Sequence, residues 1–309
     1  MKTVFIDGSA GTTGLQIHQR LEQRPDLELL LLPEEQRKDP AARREALNRC
    51  DIAFLCLPDA AAREAVAMVE NDATVVIDAS TAHRTAPGWA YGLPELGQEY
   101  AAAIAASRRI AVPGCHASGF IALTAPLVAA GLLSKRELLI CHSVTGYSGG
   151  GKAMIARYEA AERSPLLDAP RQYGLGQNHK HLPEMQAVTG LDTPPIFCPI
   201  VAGFYSGMAV TVPLFASQLA GTVEDVRQVY RQLYTGPIVQ YTETCGEEGF
   251  LSAAALSGLD RMEISVAGSD QRILLTARYD NLGKGASGAA VECMNLALGL
   301  PAVTGLRLG

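Results

Sequence analysis

Four absences narrow the role of this sequence before any motif is read. Its seven cysteines are an odd number and include no Cys-x-x-Cys pair. That argues against a disulfide framework or a zinc knuckle and predicts reduced thiols. Every long apolar stretch is broken by Gly, Pro or charge before reaching the ~18 residues that a membrane span needs. There is no basic excess: the net charge is -6, and nucleic-acid binders carry a basic footprint instead. The opening MKTVFIDGSAG lacks a basic segment leading into a long apolar run, so no secretory signal is read. The expectation is a cytoplasmic protein with neither a nucleic-acid nor a membrane partner.

What is present has the make-up of a folded protein. Of 309 residues, 48% are hydrophobic and 19% charged, a balance that supports one or two packed domains. Short apolar runs at Thr3–Ile6, Leu27–Leu32, Ile52–Leu57 and Thr74–Ile77 alternate with helical stretches at about Thr13–Arg24 and Ala60–Val69. Continuous Val/Ile/Leu runs alternating with helices predict a parallel sheet covered on both faces, a doubly wound nucleotide-binding domain. From about Glu137 strand-like segments dominate: Leu138–Val144, Met208–Leu214, Arg261–Val266 and Arg272–Ala277. Helices are read at about Lys152–Glu162 and Val223–Leu233. The predicted fold class is α/β: a Rossmann-type sheet over residues 1–115, then an α+β catalytic and oligomerisation domain with a mostly antiparallel sheet over 116–285. The last segment, 286–309, with a helix at about Ala286–Leu298, is expected to return to the first domain.

Three segments carry chemistry. After the first strand stands Asp7-Gly8-Ser9-Ala10-Gly11-Thr12-Thr13-Gly14. Glycines at 8, 11 and 14 permit a tight turn and close backbone approach, and free N–H groups at the next helix start favour a pyrophosphate. The spacing is not the usual dinucleotide fingerprint, so its position between strand and helix is what raises it above a plain glycine turn. Glu34 and Glu35 follow the second strand and suit the ribose hydroxyl of NAD; Arg37 and Lys38 suit the extra phosphate of NADP.

Second, the run Ala111-Val112-Pro113-Gly114-Cys115-His116-Ala117-Ser118-Gly119 ends a strand and opens a helix at Cys115. A thiol at a helix N-terminus has its thiolate favoured by the dipole and the free N–H groups, which can also hold an oxyanion. Cys50, Cys56, Cys141, Cys198 and Cys293 lie in apolar runs and read as inert core residues. A base for Cys115 is sought in His179-Lys180-His181-Leu182-Pro183-Glu184. No third His or Cys follows at metal spacing, so no metal is expected. His18 and His142 read as structural or surface residues.

Third, Gly146-Tyr147-Ser148-Gly149-Gly150-Gly151-Lys152-Ala153 nearly matches a P-loop. Ala153 stands where the magnesium-binding hydroxyl belongs, which disfavours an NTPase. A cradle for a substrate phosphate or carboxylate at Gly150 and Lys152 is expected instead.

Six motifs in one order resemble the short (type 2) N-acetyl-gamma-glutamyl-phosphate reductases. They are GSAGTTG at Gly8–Gly14, DASTAHR at Asp78–Arg84, YGLPEL at Tyr91–Leu96, PGCHASG at Pro113–Gly119, HKHLPE at His179–Glu184 and DNLGKGASGAA at Asp280–Ala290. The resemblance implies NADPH as cofactor and a second domain like that of aspartate-semialdehyde and glyceraldehyde-phosphate dehydrogenases. It also implies a homodimer or homotetramer. The implied reaction is reduction of N-acetyl-gamma-glutamyl phosphate to N-acetylglutamate 5-semialdehyde with release of phosphate, in arginine biosynthesis. Cys115 matches the nucleophile, with His181 as acid/base and His179 as substrate contact, or the reverse. Arg84 and Lys152 are implied to bind the substrate's carboxylate or phosphate, and Asn281 with the Gly283–Gly288 loop to lie near the nicotinamide. His116 departs from the longer family form, which usually has Tyr there. Rival readings are the same chemistry on an aminoadipyl or aspartyl phosphate, and a dinucleotide-binding sensor without catalysis.

Overall fold

A computed structural model describes all residues, 1–309. The chain divides into two compact units, Met1–Pro113 with Ala286–Leu306, and Gly114–Gly285 with Arg307–Gly309. The expected boundary after residue 115 thus lies two residues earlier, because Cys115 opens a helix of the second unit. The extreme C-terminus also departs from expectation. Asp260 accepts from the Arg307 N–H, and its own N–H donates to the Arg307 carbonyl, which ties Arg307–Gly309 to the second unit.

The first unit holds β1 (Lys2–Asp7), α1 (Thr12–Leu21), β2 (Leu27–Leu30), α2 (Pro40–Arg49), β3 (Ile52–Leu55), α3 (Asp59–Ala67), β4 (Val75–Asp78), β5 (Ala90–Tyr91), α4 (Gln98–Ala106) and β6 (Arg109–Ala111). Its sheet runs β2-β1-β3-β4-β6-β5, and every pairing is parallel. Side-chain alternation explains why the runs read as continuously apolar. Ile52 and Phe54 of β3 join a core with Ile17 of α1 and Ile104 of α4, whereas Ala53 and Leu55 face Leu47 of α2 and Ala62 and Ala65 of α3. The chain's last helix, Gly288–Ala297, adds Val291 and Met294 to the first of these cores. Helix α2 is not legible as an apolar run, since its exposed face is charged. It starts because Asp39 caps it, accepting from the Ala41 and Ala42 N–H groups, with Pro40 at its first position.

The second unit holds α5 (Cys115–Ala129), β7 (Ile140–Gly146), α6 (Gly151–Glu159), β8 (Arg171–Gln172), α7 (Leu182–Thr189), β9 (Ile196–Ala202), β10 (Met208–Phe215), α8 (Val223–Leu233), β11 (Val239–Tyr241), β12 (Met262–Gly268) and β13 (Arg272–Tyr279). A turn of π-helix, Gly283–Ser287, then leads into the chain's last helix, α9. The sheet runs β11-β12-β13-β10-β7-β9-β8. The pairs β7–β9 and β11–β12 are parallel, and the other four are antiparallel. Strand β9 escapes sequence reading because Pro199 interrupts it. Proline gives up a ladder donor, and here the Pro199 carbonyl accepts from the N–H of Tyr173, the residue after β8.

Helix α5 is buried along nearly its whole length. Pro126 within it cannot donate to the Ala122 carbonyl four residues back. The Tyr234 hydroxyl donates to that carbonyl at 2.7 Å, so the gap in the ladder is filled from α8's C-terminal end. The opposite face of the sheet leaves Ile140, Ile196, Phe215 and Leu274 exposed.

Candidate active site

In the first unit, the turn after β1 is built by glycine. Gly8 has φ +85°, and a Cβ there would lie 2.4 Å from the Cys56 carbonyl oxygen. The Gly11 N–H donates to the Gly8 carbonyl at 2.9 Å, which closes the turn. Helix α1 then starts from Gly11 with no side-chain cap, leaving its first N–H groups for a ligand. Beside this turn lies a cavity of about 620 Å³ lined by Gly8, Ser9, Ala10, Glu34, Arg37 and Lys38, among others. Ser9 and Ala10 line this cavity, and Thr12, Thr13 and Gly14 form the first turn of α1.

The cavity floor holds a feature that the sequence did not disclose. Arg43 of α2 donates from Nε (3.0 Å) and Nη2 (2.9 Å) to one oxygen of Asp7, and both side chains are buried. Burial raises the Asp7 carboxyl above its usual range despite the guanidinium. Arg37 is exposed, and its Nε reaches toward the Leu32 carbonyl at 3.4 Å. In the DASTAHR segment, Asp78 accepts from Ser80 and meets His83 Nδ1 at 2.6 Å, and the His83 ring stacks on Trp89. Arg84 donates to the Val112 and Ala79 carbonyls at 2.9 and 3.2 Å, so part of its guanidinium braces this unit's strand ends.

In the second unit, Cys115 is the first residue of α5, and Gly114 before it offers no side-chain cap. A buried helix start with no local cap needs an acceptor from elsewhere. Glu184 of α7 supplies it: its buried carboxylate accepts from the Gly114 N–H at 3.0 Å. A second long-range tie enters the first helical turn. The Tyr279 hydroxyl donates to the Cys115 carbonyl and accepts from the Gly119 N–H at 3.0 Å, bridging the two groups that an α-helix would pair directly. Gly119 makes room, since a Cβ there would lie 2.7 Å from that hydroxyl. Burial and the negative charge of Cys115 both raise the Tyr279 phenol. Gly285 also touches the nucleophile's residue, with its would-be Cβ 3.1 Å from Cys115 Cβ.

The histidines converge on His116, the residue after Cys115. The ring of His116 lies 5.9 Å from His179 and 5.6 Å from His181, and the last two are 4.7 Å apart. Phe197 packs on His116 and His179. His116 is buried, and burial, followed by the charges of His179 and Lys180, pushes its pKa down to about 3. It is a neutral ring near neutral pH. The His181 backbone N–H donates to His179 Nδ1 at 3.2 Å, so neutral His179 carries its proton on Nε2. His, Cys, Asp and Glu side chains nowhere form a group of three that could hold a metal ion.

The remaining expected residues are placed less directly. Asn281 is buried, with its amide nitrogen donating to Ser148 and its oxygen accepting from the Gly207 N–H. It thereby ties the Gly146–Gly151 loop to the start of β10. A Cβ on Gly283 would lie 2.1 Å from the Leu259 carbonyl, so close packing accounts for that glycine. Asp280 gathers the segment: one oxygen accepts from the Leu282 and Gly283 N–H groups, the other from Ser206 and Gly258. The expected Gly loop forms a short 3-10 turn, Tyr147–Gly150, before α6, leaving Gly150 and Lys152 exposed. Sequence reading missed Tyr173, Ser143 and Tyr279; Lys284, within the Gly283–Gly288 loop it singled out, is buried. For Glu184 the only local signal was the uncapped Gly114.

Comparison with known proteins bears on this arrangement. Residues 33–104 match the family described as semialdehyde dehydrogenase, NAD binding domain, and residues 115–281 match its dimerisation domain. The chain is 49% identical over 305 residues to N-acetyl-gamma-glutamyl-phosphate reductase 2 of Pseudomonas putida, covering 96% of each chain. It is 44% identical to N-acetyl-gamma-glutamyl-phosphate reductase of Burkholderia cenocepacia, covering 96% of this chain and 97% of that one. Among solved structures it is similar to aspartate semialdehyde dehydrogenase II of Vibrio cholerae complexed with ASA. There the TM-score is 0.73 at 18% identity, over 96% of this chain and 98% of that one. Aspartate semialdehyde dehydrogenase of Candida albicans with NADP gives a TM-score of 0.65 at 15% identity, covering 96% and 99%. The fold is that of the semialdehyde dehydrogenases: a parallel Rossmann-type sheet and a mixed sheet.

Proposed function

The chain belongs to the N-acetyl-gamma-glutamyl-phosphate reductase family, and we propose that it reduces N-acetyl-gamma-glutamyl phosphate to N-acetylglutamate 5-semialdehyde, releasing phosphate, as a step of arginine biosynthesis. The observation that carries this reading is Cys115 at the start of a buried helix, followed by His116, whose ring meets those of His179 and His181. Its thiolate attacks the acyl carbonyl; a C–S bond forms, the C–O bond to phosphate breaks, and a thioester remains. NADPH, when bound, supplies the hydride that reduces that thioester. The N–H groups at the start of α5 face the negative charge that develops on the substrate oxygen during attack. Loss of the thiolate then regenerates Cys115 and frees the aldehyde. His181 handles the proton. Protonation of His179 at Nδ1 would sacrifice its bond from the His181 N–H, which favours a contact role for His179. Arg84 and Lys152 with Gly150 are the candidates for the substrate's carboxylate and phosphate.

The glycine cradle at Gly8, which a Cβ would fill, and the adjoining cavity fit a dinucleotide, with Gly8, Ser9, Ala10, Gly11, Thr12, Thr13 and Gly14 about its phosphates. Asn281 and Gly283 act on the nicotinamide side through the loop they shape. NADP is preferred over NAD. Leu30 and Leu31 stand at the end of β2, where a ribose-binding carboxylate would be expected, and Arg37 and Lys38 line the cavity. Glu34 lines it too, so the preference rests on the two cations outweighing one carboxylate. The open apolar sheet face, in the segment matched to a dimerisation domain, supports a homodimer or a homotetramer built from it. Seven free cysteines and a biosynthetic role support the cytoplasm as the compartment.

Purified protein given N-acetylglutamate semialdehyde and NADP should form NADPH only when phosphate is added, with NAD a poorer oxidant. No phosphate-dependent reduction with either nucleotide would overturn the assignment.

A further inference from the structure

The residue after the nucleophile is the middle of a chain of hydrogen bonds. His116 Nδ1 lies 2.6 Å from Ser143 Oγ, and His116 Nε2 lies 2.7 Å from the Tyr173 hydroxyl. We propose that Ser143, His116 and Tyr173 form a relay of one fixed polarity that turns the Tyr173 proton toward the Cys115 sulfur, making Tyr173 a hydrogen-bond donor to the thiolate. The proposal rests on the reading of Cys115 as nucleophile.

The polarity follows from counting donors. Ser143 is fully buried on β7, and its register neighbours, Pro199 on β9 and Val210 on β10, offer no side-chain acceptor. Its single side-chain hydrogen bond is to His116. If Ser143 accepted from His116, its own proton would be buried without a partner, which native structures avoid. Ser143 therefore donates to Nδ1. A neutral ring then carries its proton on Nε2, and Nε2–H donates to the Tyr173 oxygen. The phenol proton is left pointing away from His116. His116 stays neutral because it is buried and faces His179, His181 and Lys180, so the relay does not reverse near neutral pH.

Cys115 is the negatively charged group that the surroundings set against this hydroxyl. Tyr173 is bonded to the side chain that follows Cys115 and lies 5.9 Å, ring to ring, from His179. Burial and then the negative charge at Cys115 raise its phenol, so the hydroxyl keeps its proton close to that charge. A hydroxyl donor stabilises a thiolate over a thiol and lowers the thiol's pKa. Ser143 and His116 are positioning residues, acting through Tyr173.

The test is the pH dependence of Cys115 alkylation by iodoacetamide, read by peptide mass in the full chain without substrate or nucleotide. Tyr173→Phe should raise the apparent thiol pKa by about one unit and slow alkylation at neutral pH about tenfold. Ser143→Ala and His116→Leu should shift the titration in the same direction. His116→Gln should stay near wild type, because its amide can accept from Ser143 and donate to Tyr173. The double variant His116→Leu/Tyr173→Phe should match Tyr173→Phe alone, since both break one pathway. A Tyr173→Phe titration equal to wild type overturns the proposal. So does a shift in Tyr173→Phe that neither Ser143→Ala nor His116→Leu shares. Since alkylation does not need turnover, failure of the enzymatic reading is seen separately, as a Cys115→Ser protein that still reduces the acyl phosphate.

Discussion

The cofactor turn and the nucleophile's surroundings are built in opposite ways. The turn at Gly8–Gly14 is closed locally, by the Gly11 N–H on the Gly8 carbonyl, and only the Cys56–Leu57 segment just after β3 meets it from elsewhere. The start of α5 is assembled from afar. Glu184 is 70 residues from Gly114, and Tyr279 is 164 from Cys115. A local device tolerates change elsewhere in the chain, whereas an assembled one depends on the packing of a whole unit.

That contrast can be broken at either end. The largest effect is expected at the histidines. His181→Asn should lower kcat by about 10²–10⁴-fold, the range for a lost acid/base group, and His179→Asn should act mainly on KM. Equal kcat losses in the two variants would undo the assignment of the proton to His181. In the local device, Gly8→Ala puts a methyl group against the Cys56 carbonyl at positive φ. It should raise KM for NADPH at least about tenfold, on the order of 1.4 kcal/mol or more, while Cys115 alkylation stays at the wild-type rate. In the assembled device, Gly119→Ala should displace Tyr279 from the first turn and cost about 1–3 kcal/mol of stability, measured by urea unfolding. Unchanged stability would show that the bridge is dispensable.

The smallest effect sharpens the account of the buried ring. His116 is held neutral, with its folded pKa far below its unfolded one, so the unfolded chain takes up a proton first as pH falls. Stability should therefore decline as pH drops below about 6.5 toward about 3, with this group contributing at most about 1.4 kcal/mol per pH unit. Above that window it contributes nothing. Comparing unfolding of wild type and His116→Gln at pH 7 and pH 5 isolates the slope, and equal slopes would refute a buried neutral His116.

Legibility in the sequence follows the same division. The parallel sheet, the glycine turn and Cys115 at a helix start could be read because each is encoded within a few consecutive residues. Helix α8 lies over Val223–Leu233 as expected, since Thr222 caps it and an apolar face repeats through Val226 and Tyr230. Helix α2 was hidden by its charge and β9 by Pro199. Asn281 shows the limit: its motif was visible, yet its ties to Gly207 and Ser148 span 74 and 133 residues, and no local pattern announces them. Gly119 was visible as a helix glycine, but its reason, the Tyr279 hydroxyl, lies on β13, 160 residues away.

The central claim is that Cys115 carries the acyl group. Mixing the protein with acyl phosphate in the absence of nucleotide and measuring intact mass tests it most directly. The account predicts one phosphate released and an N-acetylglutamyl adduct on Cys115 that disappears on adding NADPH, with neither seen in Cys115→Ser. An adduct-free wild type that nevertheless turns over, or a Cys115→Ser protein with near-normal turnover, would contradict it.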